Sequence, residues 1–120
     1  MKSNDILGVK SLAFAVRIVN LYKYLSENKR EFILSKQIMR SGTNPGAMVR
    51  EASRAESGAD FIHKFSIAQK ELAETRYWLE LLCTTRYINE IQFLSLDNDA
   101  EELLKLITKS IITRKQNLEK

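Results

Sequence analysis

Two side chains able to hold a metal or move a proton, Asp60 and His63, stand three residues apart, which puts both on one face of a helix. Helical bundles use a carboxylate-x-x-His pair as a metal ligand when a second such pair and further inward glutamates complete the set. His63 is the chain's one histidine, so a di-metal centre within one chain is excluded and a shared site between subunits is the sole alternative to a solvated or hydrogen-bonded His63. The same scarcity leaves Cys83 without a catalytic partner nearby, and no GxSxG accompanies the serines. Cys83 itself, in "LELLCTTR", reads as a small hydrophobe on an apolar helix side. Glu71, Glu74 and Glu80 read as exposed helix carboxylates. Gly42 and Gly46 belong to no GxxxxGK[ST] or GxGxxG pattern, which argues against a phosphate loop. The expectation is a protein with no catalytic residues, no metal and no cofactor.

Positive charge is what remains. The chain of 120 residues has a net charge of +4, and its first 56 residues carry ten Lys/Arg against five Asp/Glu, while residues 57–120 carry nine against ten. The excess therefore lies in the first half. Lys36, Arg40, Arg50 and Arg54 are the candidate nucleic-acid-binding residues, with Lys23, Lys29 and Arg30 able to join them. A row of this kind grips phosphates without reading bases, so the partner would be an RNA or DNA backbone. The competing expectation is that Arg50 and Arg54 pair with Glu51, Glu56 or a neighbouring helix.

The elements that must position these residues are all helical, because apolar residues recur at spacings of three and four and no alternating run suggests a strand. The first helix, from about Asp5 to Lys29, carries Leu7, Phe14, Ile18, Leu21 and Leu25 on one seam. Leu12, Val16 and Val19 form a second apolar line beside it, more surface than one neighbouring helix covers, which implies a partner beyond the bundle. Ser35 is placed as the N-cap of the second helix. That helix either stops near Gly42 and restarts with Asn44 as N-cap and Pro45 at its first position or, the favoured reading, runs to about Glu56 with a kink at Pro45, whose ring removes a backbone bond and displaces the Ser41 carbonyl. Gly42 and Gly46 would let another backbone approach there. After Ser57, the seam Phe61, Phe65, Ala68, Leu72, Thr75, Leu79 and Leu82 predicts a long third helix. "YINEIQFLSLDNDA" breaks the period, so the fourth helix is expected to start at a cap among Asp97, Asn98 and Asp99. Asp99, Glu101 and Glu102 would then sit in its first turn and Arg114 and Lys115 at its end. The result is an all-α, up-and-down antiparallel four-helix bundle in one domain spanning residues 1–120. No apolar run approaches the roughly 20 residues of a membrane span and no signal peptide is recognisable, so the expected address is the cytoplasm, with no membrane partner expected.

"QIMRSGTNPGAMVREASRAES" followed by "DFIHKFSIAQKELAETRYWLELL" resembles the bacterial four helix bundle protein family first noticed as reading frames within intervening sequences of large-subunit ribosomal RNA genes. The matching core includes Gln37, Arg40, Ser41, Gly42, Thr43, Glu51, Asp60, His63, Lys64, Lys70, Glu71, Glu74, Thr75 and Trp78. The resemblance implies a cytoplasmic bundle that assembles as a ring, a homopentamer, without known catalysis. It extends to a related branch, the accessory variability determinant of diversity-generating retroelements, which implies nucleic-acid binding and a protein partner such as a reverse transcriptase. Otherwise the reading is of a structural or adaptor oligomer that binds another protein. Asn44-Pro45 stands where the family commonly has Ser-Ile, and Met48 where it has Asn, which removes a polar group before Glu51.

Overall fold

The structure is a computed structural model that describes residues 5–118. Four helices follow one another: α1 (Ile6–Glu27), α2 (Leu34–Ala52), α3 (Gly58–Thr84) and α4 (Glu90–Leu118). Each packs on the next and α4 returns to α1, less closely than at the other three seams. Residue pairs across the seams run in opposite senses, Gly42 beside Ile18 and Gly46 beside Ser11, Ser41 beside Thr75 and Glu51 beside Lys64. The bundle is therefore up-and-down and antiparallel, with principal extents of 51 × 24 × 24 Å.

The core follows the apolar spacing. Phe14, Ile18, Leu21 and Leu25 of α1 meet Ile38 and Val49 of α2, Leu72, Leu79 and Leu82 of α3, and Leu103 and Ile107 of α4. On α3 the expected seam is buried from Phe65 to Leu82, with Phe61 half-buried at its start. Asp5 caps α1 by accepting from the Gly8 N–H at 2.9 Å, and Ser57 caps α3 by accepting from the Asp60 N–H at 3.1 Å.

Three boundaries differ from the sequence expectation, each for a local reason. Ser35 does not cap α2 but lies inside it, buried. The carboxylate of Glu31 does the capping, accepting from the backbone N–H groups of Ile33, Leu34 and Ser35 at 3.2, 2.9 and 2.7 Å. Next, α2 runs without interruption through the buried Pro45 but stops at Ala52, short of Glu56. Finally, α4 begins at Glu90, well before Asp97. Asn89 and Gln92 cap it reciprocally, each side-chain oxygen accepting the other's backbone N–H at 2.8 and 2.9 Å. Asp99, Glu101 and Glu102 are thereby moved from a first turn to mid-helix.

A Cβ placed on Gly42 would stand 2.7 Å from Ile18 Cγ1, and one on Gly46 would stand 3.4 Å from the Ser11 carbonyl oxygen. Side-chain-free positions on α2 thus let α1 come close, as the glycine pair suggested.

Candidate nucleic-acid interface

The four candidate cations do not form one row. Arg40 is turned toward α3, where its Nη1 lies 2.8 Å from Glu71 and its Nη2 pairs with Glu74. Glu74 also accepts from the Trp78 indole N–H at 2.8 Å. Just beneath, the Thr75 hydroxyl, which donates to the Glu71 carbonyl at 2.8 Å, accepts from the Ser41 hydroxyl at 2.9 Å in the closed interior. Arg40 is therefore a clasp between α2 and α3, and Glu71 and Glu74 are its partners rather than idle surface acids. The sequence hides this because the pairs lie 31 and 34 residues apart.

Lys36, Arg50 and Arg54 are exposed and enter no ion pair among the described residues. Glu51, the nearest acid proposed for Arg50, is instead 3.2 Å from Lys64. Lys36 and Arg50 are nevertheless about 21 Å apart along the helix at 1.5 Å per residue. Lys36 shares its end of the bundle with Lys29 and Arg30, which precede α2, and with Arg86 in the α3–α4 turn. Arg50 and Arg54 lie at the other end with Arg114, whose guanidinium is stacked 4.4 Å from the Phe61 ring centroid. The charge excess is also smaller than the count suggests. Lys10 is tied to Glu102 at 2.6 Å and Arg17 to Asp99 at 2.7 Å, so the mid-helix acids of α4 neutralise α1. Arg76 of α3 is bidentate on Asp97 at 2.8 and 3.0 Å and reaches Glu101 at 3.3 Å. A hydrogen bond from Lys105 holds the Glu101 carboxyl below its ordinary range.

The side of α1 turned away from the core is the second notable surface. Ile6, Val9, Leu12 and Val16 are 57, 48, 47 and 52 % exposed, at spacings of three, three and four. Four such side chains on one helix face form an exposed apolar patch of the kind that marks contact with another macromolecule. Leu12 and Val16 were singled out by the sequence; Ile6 and Val9 extend the line, and Val19 is half-buried.

His63 is exposed on α3, and Asp60 accepts weakly from the Glu56 N–H at 3.3 Å. Among the described residues no three His, Cys, Asp or Glu side chains stand close enough together to hold a metal ion. Cys83 is half-buried and unpaired by any disulfide. No helix of the described residues is long and apolar enough to cross a membrane.

A sequence model of the 23S rRNA-intervening sequence protein family matches residues 6–109, from the first residue of α1 into the last third of α4. The chain belongs to that family. It is also similar to a crystal structure described as a protein with unknown function from the S23 ribosomal protein family of Bacteroides thetaiotaomicron, at 55% sequence identity. The two superpose with a TM-score of 0.88, over 89% of this chain and 96% of the other. No curated protein matches the chain. The span matched by the 23S rRNA-intervening sequence protein family covers the residues of the α2–α3 clasp, Arg40, Glu71, Glu74, Thr75 and Trp78. Those residues join α2 to α3, while the exposed apolar side chains lie mainly on α1 and α4.

Proposed function

We propose that this protein is a non-enzymatic accessory protein that assembles with copies of itself in the cytoplasm, as a ring of five, and holds RNA or DNA backbones through Arg50, Arg54 and Lys36. The observation that carries the reading is the outward face of α1, where Ile6, Val9, Leu12 and Val16 are each about half exposed. Full burial of one such side chain is worth roughly 1.5–3 kcal/mol, so covering several at each contact is a substantial driving force for association. One copy offers only a few unpaired cations at each end and would bind a polyanion weakly. Copies arranged on one scaffold multiply those contacts without any new chemistry. The family's description, which concerns an intervening sequence of 23S rRNA, makes RNA the first polyanion to try.

Retention on immobilised RNA and DNA across a salt series tests this reading. Binding is expected to fall steeply with salt and to change little with sequence, and to weaken in the Arg50→Glu, Arg54→Glu variant with subunit number unchanged. No retention at low salt overturns it. A second reading, an adaptor ring that engages a protein such as a reverse transcriptase, is favoured by an apolar hollow of about 600 Å³ on α4, bordered by Leu104, Thr108 and Ile112. Under that reading the same charge reversal dissolves the oligomer while the monomer stays folded.

A further inference from the structure

Where α1 and α4 part company, beside the α3–α4 turn, the surface opens into a trough. Two hollows of about 260 and 460 Å³ share Tyr24, Ile88 and Gln92 and so run into one another. The larger lies within the roughly 300–1,000 Å³ usual for small-molecule sites. The floor of the joined trough is the apolar core itself, with Leu21 in the smaller hollow and Ile88 in both almost fully covered. Two tyrosines, Tyr24 and Tyr87, stand along it. The Lys29 ammonium lies 5.8 Å from the centroid of the Tyr24 ring, so a base that stacks on that face takes the place of the ammonium and turns it toward the phosphate.

The polar lining is sorted by what is already in use. Arg17 is spent on the Ser95 carbonyl, the Ser95 hydroxyl and Asp99. Gln92 uses its carbonyl oxygen on the Asn89 N–H, which leaves its amide donors for a ligand. Lys29 and Arg86 line the larger hollow, opposed there by one carboxylate, Glu90, and neither cation enters an ion pair among the described residues. Arg86 is held in the left-handed region at φ 70°, a conformation that is costly for a side-chain-bearing residue and is imposed here by the turn. Aromatic walls, an amide edge and paired cations in one trough match a flat heterocycle carrying a phosphate. An apolar helix would not use the cations, and a sugar phosphate would not use the tyrosines.

We propose that the trough between α1, α4 and the α3–α4 turn binds a nucleotide unit, the base against Tyr24 and Ile88 with Gln92 on its edge and the phosphate between Lys29 and Arg86. Within a strand this requires an unpaired base, so the protein prefers single-stranded RNA or DNA over duplex. The proposal rests on the nucleic-acid reading above and adds to it a site at the end of the bundle opposite Arg50 and Arg54.

Fluorescence anisotropy of the full chain with short labelled single strands, with the matching duplex, and with free nucleoside monophosphates as competitors tests it. Tyr24→Leu keeps an apolar side chain against the core, and Arg86→Gly removes the cation at a position where glycine relaxes the backbone. Each variant is expected to weaken single-strand binding about tenfold, in line with the loss of one stacked base or one phosphate contact, and to leave duplex binding unchanged. Thermal melts followed by circular dichroism check that both remain folded. Direct binding of monophosphates followed by calorimetry, lost in the same variants, with no strand bound would assign the trough to free nucleotides and end the nucleic-acid reading alone. Folded variants that bind single strands as the parent does overturn the trough and leave the Arg50 and Arg54 reading standing. Absence of binding to strand, duplex and monophosphate overturns both.

Discussion

The seam between α2 and α3 and the seam between α1 and α4 are built to different degrees of closure. The first is shut by the Arg40 clasp, the buried Ser41–Thr75 hydrogen bond and the unbroken apolar stripe of α3. The second is looser, bridged by the half-exposed pairs Lys10–Glu102 and Arg17–Asp99, and it ends in a trough. Buried polar side-chain atoms all find partners among the described residues, so the open seam is not a faulty core. The contrast teaches that all four helices share one core, while the α1–α4 side alone is left loosely joined, with surface to offer.

The largest effects should come from disturbing the closed side. Leu72→Ala removes a fully buried side chain and is expected to cost about 2–5 kcal/mol, read as a lowered denaturation midpoint, whereas Leu12→Ala on the outer face of α1 should change monomer stability by less than about 0.5 kcal/mol. If the two cost the same, the outer face of α1 is not the free surface described above. Gly42→Val drives a side chain into Ile18 and is expected to cost about 1–3 kcal/mol, with part of the loss recovered when Ile18→Ala is added, since the two positions touch.

A pH titration distinguishes the cap of α2 from the exposed acids. Burial pushes the Glu31 carboxyl upward, but the hydrogen bonds from the Leu34, Ser35 and Ile33 backbone N–H groups outweigh it and leave the pKa below its ordinary 4.5. The group therefore adds stability above that ordinary value, and this contribution is lost as pH falls through the lower, folded-state pKa. Urea melts across this acid range should show the loss in the parent chain and a flatter profile in Glu31→Gln. Smallest of all, Arg17→Ala should cost no more than about 1 kcal/mol, and less still in high salt, because its pair with Asp99 is half exposed.

The sequence was legible where one helix settles its own fate. The α3 seam and its Ser57 cap depend on spacing within a single element, and both are found where expected. The start of α4 was obscured because Ile91 and Leu94, apolar yet exposed, spoil the core period, while Asp97, Asn98 and Asp99 imitate a cap more openly than Asn89 with Gln92. The candidate site was less legible because cations were counted without their partners. Arg40 is spoken for by α3, and Arg50 and Lys36 face different ends of the bundle. Tyr24, Arg86, Tyr87 and Gln92 come from α1, the α3–α4 turn and α4, and no local spacing joins them. Arg86 and Tyr87 beside each other in a turn were the one available signal.

Sedimentation velocity over a concentration series, on the parent chain and on the Leu12→Glu, Val16→Glu variant, addresses the assembly claim most directly. The account predicts a defined oligomer for the parent and a folded monomer for the variant, with helical content and melting cooperativity retained. A parent chain that stays monomeric and folded at high concentration, or a variant that still assembles, would contradict it.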